Sequence, residues 1–353
     1  MGLRGYIAKR IIYMVILLIA VMTVNFIIFM VMPGDPTQLF INPQRRGMNQ
    51  TELAQQVAAL ENLWGIHDPP VIRYLKYLKN MLTWNFGITV TGNKPVATEM
   101  VWRIPYTLIL LGGSSILAII IGVVLGALSA YKRGGNFDAF AVVSSLVFFS
   151  LPTFWMGLVF ILIFYSDLGW FPHAGAFPYE WTVNPPQPFN ITTASTNPLG
   201  MLVSINPNDL WAYTSGILKH AFLPVMTLTL FQYGAFLLLA RATMIESLTE
   251  DYIVTARAKG VSERNVVFRH ALKNASLPLI TAAALQFGFI LSGAIITEGV
   301  YSWPGLGRWI FDAIGYKDYN VLQAIFYVIA LCVILANFIS DLLYGVIDPR
   351  IKY

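Results

Sequence analysis

Six long stretches of this 353-residue chain contain no Asp, Glu, Lys or Arg. They cover residues 11–32, 105–131, 139–166, 221–240, 275–297 and 319–340. A helix of about 20 residues crosses a bilayer core of about 30 Å, so each stretch is long enough to span a membrane. Because unpaired backbone amides cost several kcal/mol each in lipid, we expect all six to be helical. The pattern predicts an all-α integral membrane protein with six transmembrane helices.

The segments between these runs have patterns of their own. Apolar side chains recur three and four residues apart within residues 33–104, which predicts amphipathic helices on the outer membrane surface or against the spans. The recurring residues are Leu53, Val57, Leu60 and Trp64, followed by Ile72, Leu75, Leu78 and Leu82. Residues 177–207 are rich in Pro, Asn and Thr instead, and they predict an irregular external loop.

These patterns divide the chain into three parts. Residues 1–32 hold the N-terminal segment and the first transmembrane helix, and residues 33–104 form an extracellular loop with amphipathic helices. Residues 105–353 form a core with five transmembrane helices. Within this core we place an external loop at 167–216 and a cytoplasmic loop at 241–274.

The positions of Lys and Arg indicate the orientation of the chain. Hydrophobic residues make up 56% of it and charged residues only 12%, about half the charged share of soluble proteins. Basic residues precede the first run, fill the turn at 132–133, crowd 241–273 and end the chain, while residues 134–218 contain none. Because Lys and Arg are enriched in cytoplasmic loops, we expect a multi-pass protein of the cell membrane with both termini in the cytoplasm. The net charge of +5 therefore reflects topology and gives little support to nucleic-acid binding.

The loop at 251–278 carries the most specific pattern in the sequence. A first short helix is expected to end at Gly260, because glycine readily adopts the left-handed conformation found at helix ends. Ser262 occupies the position of an N-cap, and a second helix with an apolar face follows it. The apolar residues of that face are Val266, Val267, Ala271 and Leu272. Two short helices held between membrane spans form a suitable docking surface.

This loop resembles the EAA loop of ATP-binding-cassette (ABC) importer permeases. The variant is the one found in the dipeptide/oligopeptide (peptide, opine and nickel) family, in the branch of the first permease subunit. The resemblance rests on Tyr252, Thr255, Ala256, Arg257, Ala258, Lys259, Gly260, Ser262, Arg269, His270, Ala271, Leu272, Asn274, Leu277 and Pro278. Val254 and Thr255 occupy the place of the glutamate that names the loop. Residues 33–36, 84–87, 131–138 and 151–155 resemble the same family, so the resemblance covers nearly the whole chain.

The resemblance implies a type I ABC importer permease fold, with an extracellular loop domain after the first helix. The implied function is a pore-forming subunit that moves oligopeptides or dipeptides inward by alternating access. The implied partners are a second homologous permease, two ATPase subunits and an extracellular solute-binding protein. ATP and Mg then belong to the ATPase subunits, so no cofactor and no catalytic residue are expected on this chain.

Three other functions remain as alternatives, and one of them is a membrane receptor or assembly factor without transport, which would not require an ATPase. The same type of importer for oligosaccharides is the first, since members resembling this family also carry sugars, nickel chelates and opines. A secondary carrier is the second, but it would need ionisable residues inside the membrane, and the six runs contain no Asp, Glu, Lys or Arg.

By the resemblance, the loop couples this chain to the ATPases. The coupling residues are then Tyr252, Thr255, Ala256, Arg257, Lys259, Gly260, Ser262, Arg269 and His270. The small residues Ala256 and Gly260 would allow close approach to a groove on the ATPase. The basic residues Arg257 and Lys259 would pair with acidic residues there.

Neutral polar residues in the runs are candidates for a translocation path. They are Gln232, Gln286, Ser292 and Asn337. Hydrogen bonding between neighbouring helices is an equally good account of each of them. In the glycine-rich and aromatic turn at 298–308, the candidates for an outer gate are Trp303, Pro304 and Gly305, although aromatic residues also collect at membrane interfaces for general reasons.

Enzymatic motifs are absent from the sequence. It has no GxxxxGK[ST] loop for ATP phosphates, no HExxH pair and no GxSxG elbow. The four histidines are scattered, so no metal site is expected. Two sequons, at Asn49 and Asn190, fall in loops assigned outside and are candidate glycosylation sites in an organism that modifies them.

Overall fold

The computed structural model describes residues 3–31, 55, 58–59, 61–65, 67–182, 189–193, 201–205, 207–288, 290 and 294–347. In this part the chain is helical almost throughout, with one two-stranded hairpin. The first helices are α1 (Leu3–Val31), α2 (Pro70–Leu82), α3 (Val96–Tyr131), α4 (Asn136–Ser150), α5 (Thr153–Asp167) and α6 (Pro207–Leu248). The later ones are α7 (Asp251–Ala258), α8 (263–288), α9 (Ile295–Val300), α10 (Leu306–Gly315) and α11 (Tyr319–Ile347).

Membrane-spanning character is confirmed for most of the predicted runs. Within the described residues, α1, α3, α6 and α11 are each long and apolar enough to cross a membrane. The pair α4 and α5 passes the same test together, which makes five spans if the pair is one. The remaining predicted run, 275–297, is helical as far as Gly288, and residues 289 and 291–293 lie outside the described part. The count of six spans therefore stays a prediction.

The predicted run 139–166 is not a straight helix. Its two halves, α4 and α5, meet at an angle of 99°. Leu151 between them has extended backbone angles, with φ −78° and ψ 133°, because the ring of Pro152 excludes the helical conformation at the residue before it. Because proline interrupts the hydrogen bonding of a helix, the sequence predicts that Pro152, Pro224 and Pro278 kink or begin spans, and the kink at Pro152 is confirmed. Pro224 and Pro278, in contrast, lie inside α6 and α8 and begin neither helix.

The segment expected to be irregular contains the hairpin. Strands β1 (Phe189–Thr193) and β2 (Met201–Ile205) pair in antiparallel fashion, with Phe189 opposite Ile205 and Thr193 opposite Met201. The prediction of an irregular loop over 177–207 is wrong for these ten residues, and the all-α class holds for the rest of the described chain. Helix α6 begins at Pro207, within the external loop predicted at 167–216.

A cluster of large side chains joins α1 and α2 to the far end of the chain. Its members include Met22, Trp64, Tyr77, Met81, Trp309 and Val328. Asn25 of α1 donates to the Tyr77 hydroxyl at 2.9 Å, and the Thr23 and Tyr74 hydroxyls are 2.7 Å apart. Burial raises the pKa of the Tyr77 phenol above its usual range.

Most of the apolar stripe predicted on α2 faces away from this cluster, although Leu78 packs against it. Ile72, Leu75 and Leu82 are largely exposed, with Leu75 at 58%, while Tyr77, Asn80 and Met81 on the opposite side are buried. The helix over 70–82 is confirmed. Apart from Leu78, its predicted stripe is a surface that the described part of the chain does not cover.

Two glycines bring α3 and α6 into close contact. A Cβ on Gly122 would lie 2.6 Å from Cβ of Phe236, and one on Gly126 would lie 2.5 Å from the carbonyl oxygen of Leu237. No side chain fits at either position without moving a helix. The sequence pattern Gly-x-x-x-Gly thus allows these two helices to pack closely.

Candidate functional site

The short helix α7 presents one face to the exterior and buries the other. Asp251, Val254, Thr255, Ala258 and Lys259 are exposed, and their spacing of three and four residues places them on one side. Val254 is 61% exposed, which is high for an aliphatic side chain. The exposed face is therefore small and partly apolar, with charges only at its two ends.

Gly260 ends α7 as the sequence predicted. Its φ is +73°, in the left-handed region. The Gly260 amide donates to the carbonyl of Arg257 (2.9 Å), and the Val261 amide donates to that of Ala256 (3.2 Å). This pair of bonds is the Schellman arrangement, which satisfies carbonyls that the helix end would otherwise leave unpaired. A Cβ on Gly260 would meet no atom within 4 Å, so the backbone angle, rather than crowding, explains the glycine.

The inner face of α7 rests on the ends of α3, α6 and α8. The buried cluster beneath it consists of Ala127, Ala130, Met244, Ile253, Ala256, Val266, Val267, Ala271 and Ala275. Ser247 of α6 adds polar contacts, because its hydroxyl bonds with that of Tyr252 and donates to the carbonyl of Ala271 at 3.0 Å. Most of these side chains are small, which lets four helix ends meet closely.

The second half of the loop differs from the prediction in its extent. Ser262 has extended angles at the N-cap position, but its side chain makes no capping bond. The helix that follows does not stop within the loop, since it passes through a π-helical segment, Val266–Ala271, and continues as α8. Val266, Val267 and Ala271 are buried as predicted, Arg269 is exposed, and His270 is half-buried.

Two coupling residues have surroundings other than those predicted. Ala256 is buried against the chain's own core at 7% exposure, so its methyl group does not lie on the outer surface. Arg257 pairs with Glu263 of the same loop, with contacts of 2.9 and 3.3 Å. The helical register turns Ala256 away from the exposed face, whereas Arg257 remains exposed at the edge of that face. Val254, which the prediction noted only as standing in place of a glutamate, lies on that face.

Two of the four polar residues proposed for a translocation path, Gln232 and Gln286, meet inside the helix bundle. Gln286 of α8 donates to the side-chain oxygen of Gln232 at 2.9 Å. Ser115 of α3 donates to the same oxygen at 3.1 Å, and Gln232 donates to Ser114 at 3.4 Å. The amides are half-buried and both serines are buried. The network joins α3, α6 and α8, so each glutamine serves interhelical bonding, and its role in a path stays a prediction.

The turn proposed as an outer gate is packed inside the protein. Trp303 is fully buried and donates through Nε1 to the carbonyl of Tyr106 at 2.9 Å. The hydroxyl of Tyr301 bonds with Thr227 of α6 (2.9 Å) and donates to the carbonyl of Gly157 (3.3 Å). Tyr301 and Trp303 therefore fix this turn, which we term the wedge (residues 301–305), against α3, α5 and α6.

The buried side chain of Glu298 fixes the wedge through hydrogen bonds, a role that the sequence did not reveal. Its carboxylate is fully buried and accepts from the Arg308 amide at 2.9 Å, the Ala294 amide at 3.3 Å and the Thr107 hydroxyl at 3.4 Å. The Thr107 hydroxyl in turn accepts from the Leu306 amide at 2.7 Å. Together the two side chains satisfy amides at the start of α10, where a negative charge also suits the helix dipole.

The other candidate residues stand apart from these three places. Asn337 is half-buried on α11. Ser292 and Asn49 lie outside the described residues, and of Asn190 only the backbone, in β1, is described. In the part of the chain that is described, no group of three His, Cys, Asp or Glu side chains forms a metal site.

Comparison with known proteins gives matches along the whole chain. Residues 122–353 match the family described as binding-protein-dependent transport system inner membrane component, and residues 3–111 match its N-terminal counterpart. A dipeptide transport system permease protein of Alkalihalophilus pseudofirmus is 37% identical, over 99% of both chains. An oligopeptide transport system permease protein of Bacillus subtilis is 32% identical, over 99% of this chain and 100% of its own. A glutathione transport system permease protein of Salmonella paratyphi A is 32% identical, over 99% of both chains.

Proposed function

Because the chain belongs to the family of binding-protein-dependent transport system inner membrane components, we propose that it is the membrane-spanning subunit of an ABC importer for dipeptides and oligopeptides. Full-length similarity to dipeptide, oligopeptide and glutathione permeases supports the peptide class of substrate. Passage through the membrane occurs by alternating access between the two sides.

The chain works within a larger complex. A second, homologous permease completes the pore, two ATPase subunits bind and hydrolyse ATP with Mg, and an extracellular solute-binding protein delivers the peptide. This chain then carries no cofactor and catalyses no reaction of its own. Both termini face the cytoplasm, together with the loop that holds α7, in agreement with the distribution of Lys and Arg.

The observation that carries the proposal is the exposed face of α7. Val254, Thr255 and Ala258 form a small, partly apolar surface on a helix whose other face packs on the ends of α3, α6 and α8. Such a face fits a groove on a protein partner, because small side chains let the helix backbone approach closely. Movement of the partner then reaches α6 and α8 directly, since both contact α7 through buried side chains.

The proposal is tested by purifying the chain with its neighbours in lipid and measuring ATP hydrolysis. We expect an ATPase to co-purify, and its activity to rise when the solute-binding protein is added together with peptides. Stimulation by oligosaccharides in place of peptides would assign the importer to the sugar class. Uptake without any ATPase would indicate a secondary carrier and contradict the proposal.

A pair of variants at one position connects this test to the site. Val254→Asp places a charge on the exposed face of α7, and we expect it to reduce the amount of co-purified ATPase without changing the amount of inserted chain. Val254→Thr keeps the shape and stays neutral, so it should retain the ATPase. Equal ATPase recovery from both variants would mean that this face is not the docking surface.

A further inference from the structure

A charged pair with a buried carboxylate lies next to the cluster beneath α7, although 28% of the Arg241 side chain remains exposed. Asp138, in the first turn of α4, is 5% exposed. Arg241 of α6 donates to its two carboxylate oxygens, through Nε at 2.6 Å and through Nη2 at 2.8 Å. Ser129 of α3 donates its hydroxyl to the same carboxylate, and the amide of Gly134 in the α3–α4 turn donates at 2.9 Å. One carboxylate thus connects the ends of three helices.

The surrounding packing leaves little freedom for α3 and α6 to slide. Gly126 lies one turn before Ser129, and a Cβ there would be 2.7 Å from Cβ of Ala240 and 3.1 Å from the amide nitrogen of Arg241. The two helices are therefore already fixed to each other by close backbone contact. Helix α4 also approaches α6 closely further along, where a Cβ on Gly234 would lie 2.9 Å from the carbonyl oxygen of Ser145. At the first turn of α4, the Asp138 carboxylate provides the hydrogen bonds that reach both α3 and α6.

The same helix ends carry the coupling loop. Ala130, next to Ser129, and Met244, one turn after Arg241, are buried in the cluster that contains Ile253 of α7. The charged pair and the buried cluster beneath α7 thus lie next to each other at the same end of the helix bundle. A displacement of α7 acts on this end first.

Stability alone is a poor explanation for a charged pair at this place. The Asp138 carboxylate is buried at a cost, and replacing a buried ion pair by apolar residues is often neutral or stabilising. The four donated hydrogen bonds that converge on this carboxylate therefore call for a functional account.

We propose that Asp138 is a positioning residue, which locks the ends of α3, α4 and α6 into one body so that displacement of α7 moves all three together. The inference rests on the proposed function, because the displacement comes from the ATPases. Without the pair, α4 and the broken span that it begins would lag behind α3 and α6, and ATP would be hydrolysed with less transport.

The test measures peptide imported per ATP hydrolysed, using the complete complex with its binding protein in proteoliposomes. Asp138→Asn keeps the size of the side chain and removes the charge. We expect ATP hydrolysis to persist while the ratio falls about tenfold, within the usual range of coupling between two sites. Asp138→Glu retains the carboxylate and should recover most of the ratio.

Two further variants separate this role from a merely structural one. Asp138→Asn leaves the partly buried Arg241 without its carboxylate partner, so the double variant D138N/R241Q removes both charges. The double variant should insert normally and still show the low ratio. Thr243→Val is the matched control, because the Thr243 hydroxyl bonds only to carbonyls of its own helix in the described structure, at 3.0 and 3.2 Å. It should behave as the unchanged protein.

Three outcomes decide the matter. A low ratio in both D138N and D138N/R241Q, with Thr243→Val normal, supports the proposal. An unchanged ratio in the double variant, with hydrolysis and uptake reduced together, would overturn it and leave the pair a structural role. If the unchanged chain recovers no ATPase at all, the proposed function fails as well, and that result is visible before any variant is made.

Discussion

The loop before α8 and the wedge after it both connect helices, yet they differ in how much of their surface is buried. α7 leaves Val254 and Thr255 exposed and seats small apolar residues on the bundle. The wedge leaves almost nothing exposed, since Tyr301 and Trp303 are buried and bonded to three other helices. The contrast indicates that one end of α8 is built to receive a partner and the other is built as a fixed anchor. A change at the wedge should therefore affect folding, and a change at α7 should affect coupling.

The largest expected effect is at the wedge. Gly305→Ala would place a Cβ 2.5 Å from an oxygen of Glu298 and 2.6 Å from the Thr107 hydroxyl, both buried. The added methyl group must displace the side chains that cap α10, and we expect a loss of about 3 kcal/mol or more in unfolding free energy. Thermal unfolding in detergent measures it. Gly299→Ala is the control, because a Cβ there meets no atom within 4 Å, and equal loss in both variants would refute the anchoring role.

The next effect is at the end of α7. Gly260→Asp forces a non-glycine residue to φ +73°, at a cost of about 1 kcal/mol, and adds a charge beside the exposed face. We expect a normally inserted chain with about tenfold less peptide uptake per ATP. Gly169→Asp is the control. It imposes the same backbone strain at φ +63°, and a Cβ there also meets no atom within 4 Å, but the residue follows α5 rather than α7. Uncoupling by Gly169→Asp as well would show that strain, rather than position, is responsible.

A smaller effect is expected from the polar contact beneath α7. Ser247→Ala removes the hydroxyl that donates to the carbonyl of Ala271 and bonds with Tyr252. Loss of a buried hydrogen bond costs about 1 kcal/mol, so unfolding should need slightly less denaturant. Hydrogen exchange of the α7 amides should rise more than exchange of the α10 amides. An equal rise in hydrogen exchange in α7 and in α10 would mean that these two regions do not unfold independently.

The smallest effect is expected from the exposed pair of Arg257 and Glu263. Both side chains are nearly half exposed, at 44% and 46%, so water screens their attraction. Arg257→Gln should change the unfolding free energy by less than about 0.5 kcal/mol. A strong loss of ATPase binding in this variant would instead show that Arg257 leaves Glu263 to pair with the partner, as the sequence suggested.

Local signals in the sequence predicted local features well. Gly260 ends a helix, Pro152 breaks one, and the spans follow from runs without charge, because each depends on residues close together in the chain. The register of α7 was not predictable in the same way. Whether Ala256 or Val254 faces inward depends on Ala127 and Met244, which lie on other helices.

Contacts between distant residues account for the other omissions. Glu298 caps α10 together with Thr107, which is 191 positions away, and Asp138 pairs with Arg241 across 103 positions. A single sequence gives no sign of either pairing. The hairpin of β1 and β2 was missed for another reason, since its strands lie in a segment whose Pro, Asn and Thr content favours loops.

The hydrogen bonds that hold α2 against α1 also set how deep α2 lies. Thr23 and Asn25 come six and four positions before Phe29, the last residue of the apolar stretch of α1. At 1.5 Å per residue, α2 then lies about 6 to 9 Å inside the end of that stretch. We expect a helix at this depth, with Ile72 and Leu75 facing outward, to rest among lipid headgroups and the first carbons of their acyl chains. The composition of the bilayer should then influence the position of the first helix.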